Sequence, residues 1–339
     1  GAPQLSETRG AAMFVSRWRV VWRWLLVSLC FCRLHCFRQV RRPLRTELVT
    51  CRAREKCGDE EVPSFEALVH KLIAAEDPVW ELMQFESAAL DAVEDSKDVF
   101  ADILTARNKE DVLIRRIVRD LETPFLSATQ LQIIFQDLVV CNPKLSEILA
   151  LDLLATALCA DYHIVEGLDV SKGLHAVITF RFYHELQTIG KGCLARFLQS
   201  QNSEVFMADI HPAARIGNSF FVGFASGIVI GETAVVGDGV SMAHFVTLGG
   251  NGKDVGDRHP KVADGVVFGA GAQIIGNIKV GQGSVVTAKS VVVKPVPPFS
   301  KVAGVPAKVV AALSSPLKDK SENPESEEGR VYYQHQPML

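Results

Sequence analysis

Acid, imidazole and guanidinium side chains are concentrated in three stretches of the chain: ADIHPAARIG (208–217), GETAVVGDGVSMAHFVTLGGNGK (231–253) and GDRHPKV (256–262). Histidine is the side chain most used for proton transfer near neutral pH. An arginine beside it, as Arg258 lies beside His259, can hold a carboxylate through charge-assisted hydrogen bonds. A single histidine is most simply structural, and we expect that of His211. The chemistry therefore depends on the elements that bring these groups together.

The same region has a period of six residues. Apolar residues recur at Ile210, Ile216, Val222, Ile228, Ala234, Val240 and Val246, and again at Val262, Phe268, Ile274, Val280, Val286 and Val292. The two series are out of phase, so the segment from about Gly249 to Lys261 is predicted to leave the regular path as a loop. A period of six excludes an α-helix, and the frequent glycines argue against an ordinary sandwich.

Such a period predicts short parallel strands wound into a solenoid, with three hexapeptides in each triangular coil. Every eighteenth residue would then stack on its predecessor at about 4.8 Å. We assign this domain to residues 206–310. Because Val222 and Ile228 point inward in this phase, Phe224 is predicted to point away from the core.

Residues 63–205 have a different pattern, in which apolar residues recur at three and four places and glycine is rare. This predicts an all-α domain. In TPFLSATQLQIIFQDLV a Thr or Ser is placed to cap a helix. Turn signals at Cys141-Asn142-Pro143, and at Gly167 and Gly173, are predicted to end two of the helices.

Residues 1–57 hold twelve of the 36 Lys and Arg residues but three of the 39 acidic ones. The nine-residue apolar run 24–32 is too short to span a bilayer. We expect a removable targeting segment, with an organelle such as a plastid as destination and no membrane anchor in the mature protein; the alternative is a cytoplasmic protein with a later start codon, since the first Met is Met13. A nucleic-acid role is not favoured, because the basic residues alternate with apolar ones.

Five of the eight cysteines lie in this N-terminal segment, and Cys141, Cys159 and Cys193 are far apart. Neither a disulfide framework nor a metal site is predicted, and a reducing compartment is the simplest inference. Residues 311–339 are polar and are predicted to form a disordered tail.

With FGAGAQIIGNIKVGQGSVV and VAGVPAKVV, the stretches DIHPAA, GETA, TLGG and GDRHPK resemble the serine O-acetyltransferases, over roughly residues 77–310. The resemblance implies an α+β protein in which an N-terminal all-α domain precedes a left-handed parallel β-helix. It implies acetyl transfer from acetyl-CoA, a co-substrate and not a permanently bound cofactor, to the hydroxyl of L-serine in cysteine biosynthesis. It also implies a homotrimer or a dimer of trimers, and O-acetylserine sulfhydrylase as a partner; that enzyme grips a C-terminus ending in isoleucine, whereas this chain ends Pro-Met-Leu.

In the family the general base is the histidine of an Asp-His-Ala-Thr-Gly stretch, oriented by the Asp of DIHP fifteen residues earlier. That Asp is present as Asp209, but Gly223 and Phe224 replace the Asp-His pair. Phenylalanine cannot accept a proton. Two histidines offer a substitute: His244, twenty residues after Phe224, and His259, which the resemblance places with Arg258 at the serine substrate.

The resemblance also implies acetyl-CoA contacts at Gly250, Asn251, Ala270 and Ala288, in a groove between neighbouring prisms. Lys289 stands where the family has glycine, and either contacts a CoA phosphate or faces water. The family's substrate-binding Asp-Pro-Ala stretch is not found, and the segment around Asp161 is about two residues short. Two functions therefore stay open: a serine O-acetyltransferase, or a catalytically impaired homologue that acts as a regulatory or scaffold subunit.

Overall fold

The computed structural model describes residues 77–84, 105–160 and 164–313, together with Ala75, Ser87 and Ile103. The predicted targeting segment 1–57, the segment around Asp161 and nearly all of the predicted tail lie outside these residues. Backbone contacts divide the chain into two units: residues 1–112 with 161–165, and residues 113–160 with 166–339. In the first unit residues 78–84 are helical and the Lys109 ammonium pairs with Asp77 and Glu110.

Between Lys109 and Phe206, in the described part of the chain, six helices precede the strands. They are α1 (Lys109–Leu121), α2 (Ala128–Cys141), α3 (Pro143–Ala160), α4 (Ile164–Val170), α5 (Lys172–Thr188) and α6 (Gly192–Phe206). Ser127 caps α2 through a capping box with Gln130, as the sequence predicted for a Ser or Thr here. The rings of Phe135 and Phe182 stack at 4.2 Å between α2 and α5, in the helical core.

The helix end predicted near Gly167 and Gly173 is present, since α4 ends at Val170 between the two glycines. Gly167 itself lies inside α4, and the chain breaks at Ser171, whose side chain caps α5 by accepting the Leu174 N–H. Gly173 serves packing: a Cβ there would lie 1.7 Å from the Val222 carbonyl oxygen. Glycine therefore lets α5 pack directly on the backbone of the first coil.

The strands form the predicted left-handed solenoid, in about five coils with three faces. Their bounds are β1 (Ala208–Ile210), β2 (Arg215–Ile216), β3 (Phe221–Val222), β4 (Ile228–Ile230), β5 (Val235–Val236), β6 (Ser241–Met242), β7 (Thr247–Gly249), β8 (Lys261–Val262), β9 (Val267–Phe268), β10 (Gln273–Ile275), β11 (Lys279–Val280), β12 (Val285–Val286), β13 (Val291–Val292), β14 (Ser300–Gly304) and β15 (Ala307–Ala312). The faces are β1-β4-β7-β10-β13, β2-β5-β8-β11 and β3-β6-β9-β12-β14-β15. All pairs are parallel except β14 with β15.

The repeat departs from the uniform eighteen residues that we predicted. In the first step up the solenoid each residue pairs with one twenty positions later: Ile210 with Ile230, Ile216 with Val236, and Val222 with Met242. Two extra residues are accommodated in the turn 223–227. The predicted phase of inward residues is wrong after this turn. Ile228 and Ile230 are both buried, because side chains two apart on a strand share a face, and it is Ile230 that pairs with Ile210. The predicted loop is present between β7 and β8.

Helical side chains cover the open end of the first coil by donating to its backbone carbonyls. Asn202 Nδ2 donates to Ala208 O at 3.0 Å, and Tyr183 Oη to Ile210 O at 2.8 Å. The Arg181 guanidinium donates to Ile216 O at 2.7 Å and to both carboxylate oxygens of Asp152, which in turn accepts the Phe220 N–H. At the other end of the solenoid, β15 folds back antiparallel on β14.

The predicted tail boundary at residue 311 falls inside β15, which continues to Ala312. Among the described residues no helix combines the length and the apolar character needed to span a bilayer.

Candidate active site

One corner of the prism carries a column of equivalent residues. Val222, Met242, Phe268 and Val286 pair in register up the six-stranded face. The residues two positions after them occupy the same place in four successive coils, and we call them the corner column: Phe224, His244, Ala270 and Ala288. Backbone bonds continue the stack past the strands, from Gly223 N to Met242 O at 2.9 Å and from Gly269 N to Val286 O at 2.8 Å.

Phe224 points outward, as predicted, and 59% of its surface is exposed. Its ring meets that of His244 with centroids 5.9 Å apart, and Phe245 meets the same imidazole at 5.5 Å. Within the described residues neither ring nitrogen of His244 has a hydrogen-bond partner. The imidazole of His244 is thus held between two aromatic rings, half-buried, with both nitrogens available.

The residue after each corner-column member is in the left-handed region of backbone space. Ala225, Phe245, Gly271 and Lys289 have φ of 58°, 58°, 70° and 57°. Glycine adopts this conformation without a steric cost, whereas other residues adopt it only at a steric cost. The corner is therefore a tight turn in every coil.

The second group of site residues lies where the loop 250–260 rejoins the solenoid. The Thr233 hydroxyl oxygen accepts the backbone N–H groups of Arg258 and His259, both at 3.1 Å. Thr233 in turn donates its backbone N–H to His259 Nδ1 at 3.1 Å, and its hydroxyl lies 2.9 Å from the same nitrogen. Thr233 therefore positions both predicted substrate-binding residues.

These bonds decide what His259 can do. Because Nδ1 accepts, the proton of the neutral ring resides on Nε2, so Nε2 is a hydrogen-bond donor and not a proton acceptor. Partial desolvation and the neighbouring positive charge of Arg258 lower the pKa of His259 and keep the ring neutral. A Cβ on Gly231 would lie 2.1 Å from this ring, so glycine is needed beneath it.

Arg258 and Asn251 both have partners near the loop. Arg258 forms a 2.9 Å ion pair with Glu232, and Gly250 lies against the Arg258 stem. The Asn251 side chain stabilises the loop itself, since its Oδ1 accepts the N–H groups of Lys253 and Asp254.

Asp209 and His211 have separate partners. Asp209 accepts a 2.7 Å hydrogen bond from Gln199 on α6. No hydrogen bond among the described residues joins it to His244 or His259. His211 Nδ1 accepts the Ala213 N–H, as expected of a structural histidine.

Sequence reasoning missed Thr233, Gln199 and Phe245. Thr233 lies in the GETA stretch, whose sequence alone indicates no role for the threonine. Its partners are 25 and 26 residues away across the loop, and no local pattern reveals them.

Comparison with known proteins decides the family. Serine acetyltransferase 4 of Arabidopsis thaliana is 41% identical over 266 residues, which cover 76% of this chain and 74% of the relative. The chain belongs to the serine acetyltransferase family. No protein-family model matches the chain.

Solved structures of serine acetyltransferases have the same fold. That from Brucella abortus, in complex with coenzyme A, has a TM-score of 0.67 and 41% identity, and covers 70% of this chain and 97% of its own. Soybean serine acetyltransferase in complex with serine has a TM-score of 0.65 and 39% identity, with 68% and 97% covered.

Proposed function

We propose that this protein is a serine O-acetyltransferase in which His244 is the general base. The acetyl donor is acetyl-CoA and the acceptor is the hydroxyl of L-serine, consistent with the coenzyme A and serine bound by the two neighbours in the solved structures. The main observation in support is the corner column, in which His244 occupies, one coil further along, the position that Phe224 has in the first coil.

The reaction requires a base, since a serine hydroxyl is barely ionised at neutral pH. In our proposal a neutral nitrogen of His244 takes the proton from serine Oγ while Oγ bonds to the thioester carbon. The carbon–sulfur bond then breaks, the CoA sulfur receives the proton, and O-acetylserine leaves.

The other proposed site residues have supporting roles. His259 donates from Nε2 to a substrate oxygen and Arg258 holds the serine carboxylate, since Thr233 fixes both backbones. Asp209, held by Gln199, contributes a negative charge beside the site. Gly250, Asn251, Ala270 and Ala288 bind acetyl-CoA through backbone groups.

The second candidate is a catalytically impaired homologue that acts as a regulatory or scaffold subunit. The observation in its favour is Phe224 at the family's base position, with the Asp209 carboxylate bonded to an amide. A positioned base contributes about 10²- to 10⁴-fold, so its loss alone would leave a weak enzyme.

One experiment separates the two functions. CoA release from acetyl-CoA and L-serine is measured for the unchanged protein, for His244→Asn and for the Gly223→Asp/Phe224→His double variant. We expect turnover by the unchanged protein, its loss in His244→Asn, and activity in the double variant. If only the double variant turns over, the impaired homologue is correct; if none does, the loss extends beyond the base.

We also propose a homotrimer, or a dimer of trimers, because the acetyl-CoA groove that the resemblance implies is formed between prisms. Light scattering that gives a monomer would contradict it. Association with O-acetylserine sulfhydrylase is tested by co-purification of the full chain.

The cellular destination is a further proposal. We propose that residues 1–57 direct the protein to an organelle such as a plastid and are then removed. A fluorescent fusion of these residues that stays in the cytoplasm would contradict this.

A further inference from the structure

The charged residues of the last two coils of the prism are all basic. From residue 265 to Leu313 the chain has no Asp or Glu, and it has five lysines: Lys279, Lys289, Lys294, Lys301 and Lys308. Within the described residues none of the five forms an ion pair. Unneutralised positive charge on one end of a molecule attracts anionic ligands.

Lys289 stands at the end of the corner column. It follows Ala288 directly, and its backbone N–H donates to Ala270 O at 2.8 Å. Gly271 lies beneath its stem, since a Cβ built on that glycine would be 3.5 Å from Lys289 Cγ. The side chain is exposed, so the ammonium can reach a ligand lying along the column.

Lys289 also occupies a backbone conformation that glycine would adopt more readily. Its φ is 57°, and one coil earlier the equivalent residue is Gly271, with φ 70°. Strained residues of this kind are concentrated at functional sites. The lysine side chain, and not the turn, is therefore the feature that needs an explanation.

Two more lysines lie on the adjoining part of the six-stranded face. Lys301 on β14 pairs with Val285 on β12, and Lys308 on β15 pairs with Ala303 on β14. The end of β14 is tied to the corner by a 3.2 Å bond from Gly304 N to Ser290 Oγ. The charge of these lysines therefore adds to that of Lys289.

We infer that Lys289 binds a phosphate group of acetyl-CoA, with Lys301 and Lys308 strengthening the positive field. This rests on the proposed function, which places the acetyl group at His244. Ala288 is two coils from His244, or about 10 Å along the axis, and the small side chains of Ala270 and Ala288 leave the intervening corner open. The phosphates, separated from the thioester by the pantetheine arm, would then lie at Lys289.

Ligand binding to the full chain is measured by calorimetry in the absence of serine. The three ligands are CoA, dephospho-CoA, which lacks the 3′-phosphate, and pantetheine, which lacks all phosphates. The variant is Lys289→Gln. The matched control is Lys279→Gln, which changes a lysine on β11 in the four-stranded face. Lys289→Gln should weaken CoA about tenfold, as for loss of a hydrogen bond to a charged group, and leave pantetheine unchanged. The control should change CoA binding by less than about twofold.

The three ligands locate the phosphate. If Lys289→Gln weakens CoA and dephospho-CoA equally, the 5′-diphosphate is bound; if only CoA is affected, the 3′-phosphate is. Equal effects of Lys289→Gln and Lys279→Gln, or an equal loss for pantetheine, would overturn the inference. Failure of the proposed function is recognised separately, as CoA binding by the unchanged protein without CoA release.

A second variant separates binding from structure. Lys289→Gly removes the ammonium and also relieves the backbone, so we expect a higher Tm together with weaker CoA binding. If Lys289 had only a structural role, Lys289→Gly would lower Tm or leave the affinity for CoA unchanged. Either result would contradict the assignment.

Discussion

Phe224 and His244 meet ring to ring on successive coils, with centroids 5.9 Å apart and planes inclined at 63°. The carboxylate that would orient an imidazole in an Asp-His pair is replaced here by packing between Phe224 and Phe245. Aromatic contacts of this kind are geometrically specific and contribute about 0.5–1.5 kcal/mol each.

The first prediction concerns the base. His244→Asn should lower kcat by about 10²- to 10⁴-fold with little change in the KM for acetyl-CoA, because it removes the proton acceptor. Phe224→Leu, which loosens the ring without removing the acceptor, should cost much less. Steady-state kinetics on both variants check this; unchanged kcat in His244→Asn would exclude it as the base.

The second prediction concerns Thr233. Thr233→Val removes the acceptor of two backbone N–H groups and should raise the KM for serine about tenfold, by leaving those donors unpaired. Thr233→Ser keeps the hydroxyl and should stay near the unchanged protein. If Thr233→Ser raises the KM for serine as much as Thr233→Val does, the hydrogen bonds accepted by the hydroxyl do not account for the effect.

The third prediction is a pH dependence of stability. His175 is 3% exposed, with Nε2 2.6 Å from Leu168 O. Burial is the main cause that lowers its pKa; Arg116 also lowers it, whereas Asp120 and the Leu168 bond oppose the shift. Above about pH 6.5 the ring is neutral in both folded and unfolded chains. Below that pH the unfolded chain binds the proton first, so the free energy of unfolding should fall.

Thermal unfolding between pH 8 and pH 5.5 measures this slope. His175→Gln should have a shallower slope than the unchanged protein. Parallel slopes would mean that other groups dominate the titration.

The fourth prediction concerns the buried pair of Asp152 and Arg181. The Asp152 side chain is 0% exposed and that of Arg181 4%. Removing one partner leaves a buried charge, so Asp152→Asn or Arg181→Met should lower the free energy of unfolding by about 3–5 kcal/mol. The Asp152→Asn/Arg181→Met double variant should lose less than the sum of the two single changes. Urea unfolding decides, and simple additivity would show that the pair is not coupled.

The sequence predicted the solenoid because an inward residue every six positions is a local pattern, and it placed Phe224 outside for the same reason. It did not predict that residues of the first two coils pair at a separation of twenty. Ile228 and Ile230 are equally apolar, so the pattern does not show which of them is the inward residue of the six-residue period. It also missed the pairing of Asp152 with Arg181. They are 29 residues apart on different helices, and each looks like an ordinary charged residue until the helices pack.

The covering of both ends of the prism restricts how copies can associate. An uncovered parallel coil presents a row of unpaired N–H or C=O groups to any second chain. At the first coil those carbonyls are used by Asn202, Tyr183 and Arg181, and at the last coil β15 runs antiparallel to β14. These contacts occupy the backbone groups onto which a second prism would otherwise stack, at the first coil and at the end of the six-stranded face.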